Sequence, residues 1–516
     1  MLRQKPPQTS FYGTYLYDHI IPDDHLLRKI DQVVDFSFIT ELVKDRYTPD
    51  FGRPAEDPEF MLRLCLLQYL YGDSDRGVIE NAKVNLAYKF FLNLSVDDEV
   101  PDDTTVSYFR TKRLGEEKFR EVFEQLVKQC IGAGLVTGKR QIVDSTHIIA
   151  DMAVTSLTGL LTLCRRNVIR EVARQNQKVA EKLAPQPVVG TKEIKYARMD
   201  EGLEQELEAA RNLLDGVTEE LKGGGLQVTE GLKANLALLV KAVADRDDGA
   251  TDRLVSPIDP DARQGKKTSK LWAGYKGHVV IEEDSEIITA IETTPGNRND
   301  GPELKGLLKQ QEEAYGLVPQ EISGDKAYDS GANLEYLGCK GITGNIELAR
   351  KVNNHYGAEL FIVDDFSYDQ ATNSLTCPAG CTARRRSTAN IHTEKIKRNG
   401  VIFMFDLEVC KACALKNRCS PSESRGRCVA ISYYHPLYLA MKERLTTEEG
   451  QESYRKRMRI EHKIADLTLY CGMRRSRYRT LGKAKIHTLL AAIASNVKRM
   501  AKILWQPPER AIATGT

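Results

Sequence analysis

Several features that would narrow the class of this 516-residue protein are missing from its sequence. No apolar run approaches the roughly 18 residues that a membrane-spanning helix requires. The opening Met1-Leu-Arg-Gln-Lys-Pro-Pro lacks the apolar core of a signal peptide. Neither charge sign dominates, because 74 basic residues oppose 72 acidic ones and leave a formal charge of +2. We therefore expect a cytoplasmic protein with no membrane partner, and the whole-chain charge indicates no other partner.

The N-terminal part of the chain, up to about residue 136, has a helical pattern. Apolar residues recur three and four positions apart, as in the stretch from Phe60 to Tyr71. Turn-like segments separate the helices at Phe51-Gly-Arg-Pro and at Val100-Pro-Asp-Asp-Thr-Thr, where Asp103 or Thr104 is the predicted N-cap of the next helix. Many DNA-binding bundles have this pattern, but a helical domain that only packs or dimerises has it equally.

A mixed α/β core is predicted after this helical region. Segments rich in β-branched residues predict about five strands, at 139–151, 277–282, 286–292, 320–327 and 343–348. A charged helical stretch between residues 155 and 248 interrupts them, and it could dimerise, contact DNA or merely pack. Further on, Arg398-Asn-Gly-Val predicts a type I′ turn between two strands.

Three acidic residues stand out by their position in this pattern. Asp144 lies within an apolar strand, Asp325 ends a short strand after Gly324, and Glu461 lies on a helix. A carboxylate in an apolar strand is costly unless it meets a cation or a metal ion. Carboxylates of this kind hold the paired divalent cations, about 3.5 to 4 Å apart, that promote phosphodiester cleavage. Each residue alone is more often a turn, cap or surface residue.

The surroundings of Glu461 favour a functional interpretation. Tyr454 and Arg457 precede Glu461 by seven and four residues, which predicts that all three share one stripe of a helix. Such a stripe can ligate a metal ion through Glu461, hold a phosphate with Arg457, and stack on or hydrogen-bond DNA with Tyr454. The ordinary alternative is a surface ion pair between Arg457 and Glu461.

The end of the chain is basic although the whole is nearly neutral. Residues 451–500 contain thirteen Lys and Arg against three acidic residues. The run Arg474-Arg-Ser-Arg-Tyr-Arg interleaves an aromatic ring with the charges, so Arg474, Arg475 and Arg477 are predicted to bind DNA. A solvated charged face is the alternative interpretation.

Six of the 11 cysteines fall between Cys377 and Cys428. The pattern Cys377-x3-Cys381 and Cys410-x2-Cys413-x5-Cys419 flanks a predicted hairpin and is similar to a zinc ribbon, in which four thiolates bind Zn²⁺. We predict that Cys377, Cys410, Cys413 and Cys419 are the ligands, with Cys381 as the first substitute and Cys428 as the next. Unliganded thiols are the alternative.

Taken in order, these segments resemble the DDE-type transposases of bacterial insertion sequences. The resemblance is to the class whose last helix carries Tyr-x2-Arg-x3-Glu-x6-Lys, and most of all to the group usually numbered eleven-eighty-two. It rests on Phe51-Gly-Arg-Pro, Pro101-Asp-Asp-Thr-Thr, Val143-Asp-Ser-Thr, Ser256-Pro-Ile-Asp-Pro-Asp-Ala-Arg, Gly274-Tyr-Lys-Gly-His, Gly324-Asp-Lys-Ala-Tyr, Cys377-Pro-Ala-Gly, the cysteine run and the Tyr-Arg-Glu helix. One departure is Thr468, which stands where the motif has Lys.

The resemblance implies a ribonuclease-H-like fold with catalytic acids on the first strand, just after the fourth strand, and on a later helix that follows an insertion. Carried over, these are Asp144, Asp325 and Glu461, holding two Mg²⁺ or Mn²⁺ ions. The implied activity cuts the ends of an insertion sequence and joins the 3′-hydroxyl to target DNA. The implied partners are double-stranded DNA, as terminal inverted repeats and target, and a second copy of the chain in a synaptic homodimer. The implied location is the nucleoid in a bacterial cytoplasm.

The resulting fold class is α/β, with a ribonuclease-H-like mixed sheet core. The predicted domains are a helical DNA-binding domain (1–136), the catalytic core (137–154 and 250–350), a helical insertion (155–249), a zinc-ribbon-like insertion (351–432), and the catalytic helix with a basic helical tail (433–516). Two other functions stay open: a ribonuclease-H-like nuclease that does not join ends, and a catalytically silent, zinc-stabilised DNA-binding protein of transposase descent. Thr468 keeps the second of these open.

Overall fold

A computed structural model describes residues 11–48, 55–184, 199–247, 251–267, 270–348, 353–355, 358–383, 385–393, 396–420 and 422–507. The contacts divide the chain into two units. Unit 1 comprises Met1–Thr137, Asp144–Arg298 and Arg459–Thr516, and unit 2 comprises Gly138–Val143 and Asn299–Met458. The Phe51-Gly-Arg-Pro motif lies outside the described residues. The predicted domain boundaries stay predictions.

Unit 1 begins with a helical region, as predicted. Its α-helices are α1 (Phe11–Ile20), α2 (Leu26–Val33), α3 (Phe38–Leu42), α4 (Pro58–Tyr71), α5 (Asp75–Val84), α6 (Leu86–Phe91), α7 (Asp103–Tyr108) and α8 (Gly115–Gly132). Helix α4 is capped by Asp57 and ends at Gly72, whose φ of +81° suits a residue without a Cβ. The N-cap of α7 is Asp102 and not Asp103 or Thr104, because the Asp102 carboxylate accepts the Thr105 N–H at 3.1 Å.

A helical insertion in unit 1 has an apolar core of its own. It consists of α9 (Leu157–Gln175), α10 (Gln177–Leu183), α11 (Met199–Lys222) and α12 (Glu230–Asp247). The inward side chains, such as Leu161, Leu207 and Leu239, form one buried apolar cluster. Within the insertion, Arg165 and Glu206 form an ion pair at 2.7 Å, with both side chains only 8% exposed.

The central sheet has six strands within the described residues: β1 (Arg140–Ile149), β2 (Arg263–Lys267), β3 (Lys270–Glu282), β4 (Ile288–Pro295), β5 (Glu321–Gly324) and β6 (Thr343–Ile346). Its order is β2-β3-β1-β5-β6, with β4 also paired to β3. In unit 1, β3 pairs antiparallel with β2 and β4. In unit 2, β5 pairs parallel with β1 and β6. The sheet is therefore mixed, and β2 is the strand that the sequence pattern did not predict.

Unit 2 contains two helices that come after β4 and after β5 in the chain. These are α13 (Glu303–Tyr315) and α14 (Gly331–Lys340). A short 3₁₀ turn, Lys326–Tyr328, precedes α14 and begins directly after Asp325.

The cysteine-rich part of unit 2 is built from short strands and two short helices. They are β7 (Asn353–His355), β8 (Ala358–Leu360), β9 (Ser367–Asp369), β10 (Ser374–Thr376), β11 (Arg385–Thr393), β12 (Ile396–Met404), α15 (Leu407–Lys411), α16 (Lys416–Cys419) and β13 (Cys428–Ser432). The predicted turn at Asn399-Gly400 is wrong, because both residues lie inside β12, which pairs with β11 and β13. The last register pair of β11 and β12 is Thr393 with Ile396.

The remaining helices are α17 (His435–Arg444) and α18 (Glu448–Lys456) in unit 2, and α19 (Met458–Ala465) and α20 (Leu481–Leu504) at the start and end of the last part of unit 1. Helix α20 is buried along most of its length and contacts α2, α4, α8 and β4. The N-terminal helices thus pack around α20 as part of one core. None of the helices in the described ranges is long and apolar enough to cross a membrane.

Candidate active site

Strands β1 and β5 run parallel through the buried interior of unit 2. Their register pairs Arg140 with Glu321 and Ile142 with Ser323. Gly324, the last residue of β5, is so closely packed that an added Cβ would lie 3.1 Å from a methyl group of Val143. The absence of a side chain at Gly324 therefore permits the close packing of the end of β5 against β1.

Asp325 directly follows β5 and is half-buried. One of its carboxylate oxygens, Oδ1, accepts the Ala327 N–H at 2.9 Å and caps the 3₁₀ turn. The cap fixes the direction of the carboxylate. A carboxylate has two oxygens with about four lone-pair sites, so a cap of this kind is compatible with metal ligation.

Asp144 lies on β1 and is half-buried. Its Oδ1 accepts the Ser145 N–H at 2.7 Å. The strand changes its neighbours around this residue. Before Asp144, residues 140–142 pair with β5, whereas Ile149 forms a parallel bridge with Arg475 in unit 1.

Glu461 is exposed on α19, whose opposite side is anchored in unit 1. Ile460 and Lys463 are buried, and Lys463 Nζ donates to Ser495 Oγ at 3.1 Å. Burial lowers the pKa of Lys463, partly offset by the nearby Asp466 carboxylate. The helix that carries Glu461 is therefore fixed by buried contacts on its other face.

The prediction of a single helix through Tyr454, Arg457 and Glu461 is wrong. Helix α18 ends at Lys456, Arg457 is its C-cap, and α19 begins at Met458. Tyr454 and Arg457 still interact within unit 2, with the guanidinium carbon 5.6 Å from the ring centre. The Tyr454 hydroxyl donates to Glu347 Oε2 at 2.8 Å, and burial together with this carboxylate raises the pKa of Tyr454.

Thr468 lies at a buried position in a π-helical turn, Asp466–Tyr470. Its hydroxyl donates to the Ile464 carbonyl at 2.8 Å. A lysine at this position would place a cation in the interior, so in this chain the position contributes to packing and not to a phosphate-binding surface.

The basic segment that follows the π-helical turn lies against the end of β1. The N–H of Ser476 donates to the Ile149 carbonyl at 2.8 Å, and Arg474 Nη1 lies 2.8 Å from His147 Nε2. Arg475 is exposed. Arg477 instead donates to the carbonyls of Gln68 and Asp73 and stacks on a tyrosine ring, which gives its guanidinium a structural role in unit 1.

The Ser256-Pro-Ile-Asp-Pro-Asp-Ala-Arg motif supports this basic segment, a role that the sequence pattern did not indicate. Asp259 is fully buried and accepts bonds from the Tyr275 hydroxyl at 2.5 Å and the Thr480 N–H at 3.0 Å. Asp261 accepts the Leu481 N–H at 2.9 Å at the start of α20. Thr480 has a φ of +76°, an unusual value for a residue with a side chain, and these bonds hold it there.

Five cysteines line one small cavity in the cysteine-rich part of unit 2. They are Cys377, Cys381, Cys410, Cys413 and Cys419, and all of them are free thiols. The cavity has a volume of about 40 Å³. Cys428 is exposed and does not line it, although the sequence pattern left it open as a substitute ligand.

Ligand geometry for a metal ion is not present in the described part of the chain. No group of three or more His, Cys, Asp or Glu side chains among these residues is arranged to hold a metal ion. This applies to the three acids and to the cysteines, all of which are described. The donor chemistry nevertheless fits both predictions, since carboxylate oxygens suit Mg²⁺ or Mn²⁺ and thiolates suit Zn²⁺.

Comparison with protein families agrees with the order of these elements. A family described as "Transposase domain (DUF772)" matches residues 15–112, the helical region from α1 to α7. A second, described as "Transposase DDE domain", matches residues 244–497, from α12 to α20, and implies a ribonuclease-H-like fold. The chain therefore belongs to the DDE-type transposases of insertion sequences, enzymes that carry out metal-dependent DNA cleavage and strand transfer.

Proposed function

We propose that this transposase cuts DNA at the ends of an insertion sequence and joins the freed 3′-hydroxyl to target DNA, using Asp144, Asp325 and Glu461 to hold two Mg²⁺ or Mn²⁺ ions. When bound, such ions activate the attacking oxygen and stabilise the leaving oxygen of an in-line displacement. The chain's own carboxylates would supply the oxygen ligands, and its cations would hold the DNA phosphates.

The register of β1 and β5 is the observation that carries the assignment of the two aspartates. It pairs Ile142 with Ser323, and Asp144 and Asp325 each come two residues later in the sequence. This shared offset from one register pair supports the assignment of both aspartates as metal ligands.

Glu461 is proposed as the third ligand because its carboxylate is exposed on a helix whose opposite side is fixed. Buried Ile460 and the Lys463–Ser495 bond hold α19 in place. A rigid support keeps a ligand close to its productive geometry. Its position after the cysteine-rich segment also matches the order that the family resemblance implies.

DNA phosphates are proposed to bind along the basic segment. Arg474 and exposed Arg475 flank the end of β1, which also carries Asp144. Arg457 with Tyr454 would provide a second contact, combining a cation with an aromatic ring. We further propose that the N-terminal helices bind the terminal inverted repeats and that two copies of the chain join in the synaptic complex.

The test uses the full-length chain and a linear DNA that carries the sequences bordering its coding region. With Mg²⁺ or Mn²⁺, we expect Asp325→Asn and Glu461→Gln to lower cleavage and strand transfer by at least about 100-fold, because each removes one ligand of the charge-stabilising ions. Binding of the DNA end, measured by gel shift, should be retained. The matched control is Glu452→Gln on exposed α18, which should leave cleavage unchanged.

A second experiment asks whether these residues contact the metal directly. Asp144→Cys and Asp325→Cys should be inactive with Mg²⁺ and regain part of their cleavage with Mn²⁺, because a thiolate ligates the softer ion better. Undiminished strand transfer in Asp325→Asn or Glu461→Gln would refute the assignment. Cleavage without joining in the unaltered chain would identify a nuclease, and absence of any metal-dependent cleavage would identify a silent DNA-binding protein.

A further inference from the structure

We propose that the cysteine-rich part of unit 2 holds one structural Zn²⁺ ion on the thiolates of Cys377, Cys410, Cys413 and Cys419. This site is separate from the proposed catalytic acids, and no step of the reaction requires it. The argument rests on the shared cavity, on two N–H···S bonds and on the packing of the thiols against a small core.

The cavity brings the thiols together in an apolar setting. Its volume of about 40 Å³ is lined by the five thiols and by apolar side chains that include Phe361, Phe405 and Leu415. In an apolar environment, four clustered thiols without a metal ion would gain little, whereas four thiolates complete the tetrahedral coordination of Zn²⁺.

Two thiols already accept backbone bonds of the kind that a metal-bound thiolate accepts. The Cys381 N–H donates to Cys377 Sγ at 3.4 Å, and the Leu415 N–H donates to Cys413 Sγ at 3.4 Å. The loop from Cys377 to Cys381 is closed further by the Gly380 N–H to Cys377 carbonyl bond at 2.8 Å. Donors aimed at a ligand atom orient it and stabilise its negative charge.

Packing distinguishes Cys419 from Cys381 as the fourth ligand. Cys377, Cys410 and Cys419 all pack against the buried cluster formed by Phe366, Leu375, Phe403, Phe405, Val429 and Ile431. Cys381 is not part of that contact and instead donates its N–H to Cys377 Sγ. Cys419 therefore shares one packing surface with Cys377 and Cys410.

Metal binding would require the thiols to turn toward one another. The described cysteines are not in ligand geometry now, but a change of χ1 rotamer moves each sulfur while its backbone stays in place. The helices α15 and α16 carry Cys410 and Cys419, and both thiols line the same cavity as Cys377. We expect side-chain rotation in this small segment to bring the four sulfurs into tetrahedral geometry.

The test measures metal in the full-length chain without DNA, so its outcome is independent of transposase activity. Protein purified under reducing conditions should contain one zinc per chain by elemental analysis. Cys410→Ser and Cys413→Ser should lose at least nine tenths of it, whereas Cys428→Ser, the matched control in the same segment, should keep it.

Cobalt replacement keeps the proposal testable if the serine variants do not fold. Unaltered protein stripped of zinc and loaded with Co²⁺ should show the strong ligand-field absorption of tetrahedral cobalt and a thiolate-to-cobalt charge-transfer band. Cys419→Ser should weaken that band, and Cys381→Ser should leave it unchanged. Metal-free purified protein that also gives no tetrahedral cobalt spectrum, iron in place of zinc, or equal zinc loss in Cys428→Ser would overturn the proposal.

Discussion

The two insertions of this transposase, one helical and one cysteine-rich, differ in what holds each of them together. Among the described residues, the core around α9 to α12 contains 17 buried residues, including Leu254 after α12, and a buried ion pair. The described residues of the cysteine-rich part contain a cluster of six buried residues and five thiols around a cavity. A small segment with few buried side chains gains little from apolar burial and commonly depends on a cross-link or a metal ion. The number of buried apolar residues therefore indicates which insertion depends on a cross-link or a metal ion.

The largest expected effect is a difference in hydrogen-exchange protection between the two insertions when zinc is removed. A strong zinc chelator should abolish the hydrogen-exchange protection of β12 and β13, because structural zinc contributes apparent binding energies of about 10 to 16 kcal/mol to small domains. The protection of α9 and α12 should be unchanged, since their core contains no metal. Hydrogen exchange read by mass spectrometry reports both regions in one sample. Equal loss in both insertions, or in neither, would remove the distinction.

The next effect tests the ion pair inside the helical insertion. Glu206→Ala should lower the free energy of unfolding by about 3 to 5 kcal/mol, because it leaves the Arg165 guanidinium buried without its partner. Chemical denaturation followed by circular dichroism measures this change. The matched control is Glu208→Ala on the exposed side of the same helix, which should stay within about 0.5 kcal/mol. The double change Arg165→Met with Glu206→Leu should recover most of the loss, and a failure to do so would point to packing instead of charge.

The smallest effect compares a helix cap in each insertion. Ser156 caps α9 by accepting the Gly159 N–H at 3.2 Å, and Asp406 caps α15 by accepting the Glu408 N–H at 2.9 Å. Ser156→Ala should cost about 1 kcal/mol in unfolding free energy whether or not zinc is present. Asp406→Ala should mainly speed zinc release to a chelator, because α15 carries Cys410. Zinc release that is equally fast in both variants would contradict the division between the insertions.

Much of the fold could be predicted from the sequence because the local patterns agree with the tertiary structure. The helical stretch predicted between residues 155 and 248 contains α9 to α12, and the five predicted strands correspond to β1 and β3 to β6. Strand β2 was missed because Arg263-Gln-Gly-Lys-Lys has no β-branched or aromatic residue. This segment adopts an extended conformation because it pairs with the long strand β3.

The wrong prediction of a turn at Asn399-Gly400 also results from strand pairing that the local sequence does not indicate. The dipeptide favours a type I′ turn locally, but β12 pairs on both of its sides and continues through it. A Cβ added at Gly400 would collide with the Ile431 carbonyl. The glycine is therefore needed for the close approach of β13, a requirement that only the sheet reveals.

The candidate site was predictable in its residue types but not in its local geometry. The spacing of Tyr454, Arg457 and Glu461 predicted one continuous helix. Nothing in the Arg457-Met458 dipeptide predicts the break between α18 and α19. The hydrogen bonds from Arg477 to backbone carbonyls could not be predicted either, because they join residues about 400 positions apart. Such long-range contacts depend on tertiary structure and leave no periodic signal.

The end of β1 pairs with a segment near the end of the chain, which has a consequence for folding during synthesis. The strand end at Ile149 is bridged by Arg475 and receives the Ser476 N–H, more than 300 residues further along the chain. A ribosome would have to complete almost the whole polypeptide before this edge is covered. Contacts of such large sequence separation form slowly, and an uncovered strand edge invites mispairing in the meantime. Truncated chains that stop before Met473 should therefore aggregate, even though they contain all of the strands.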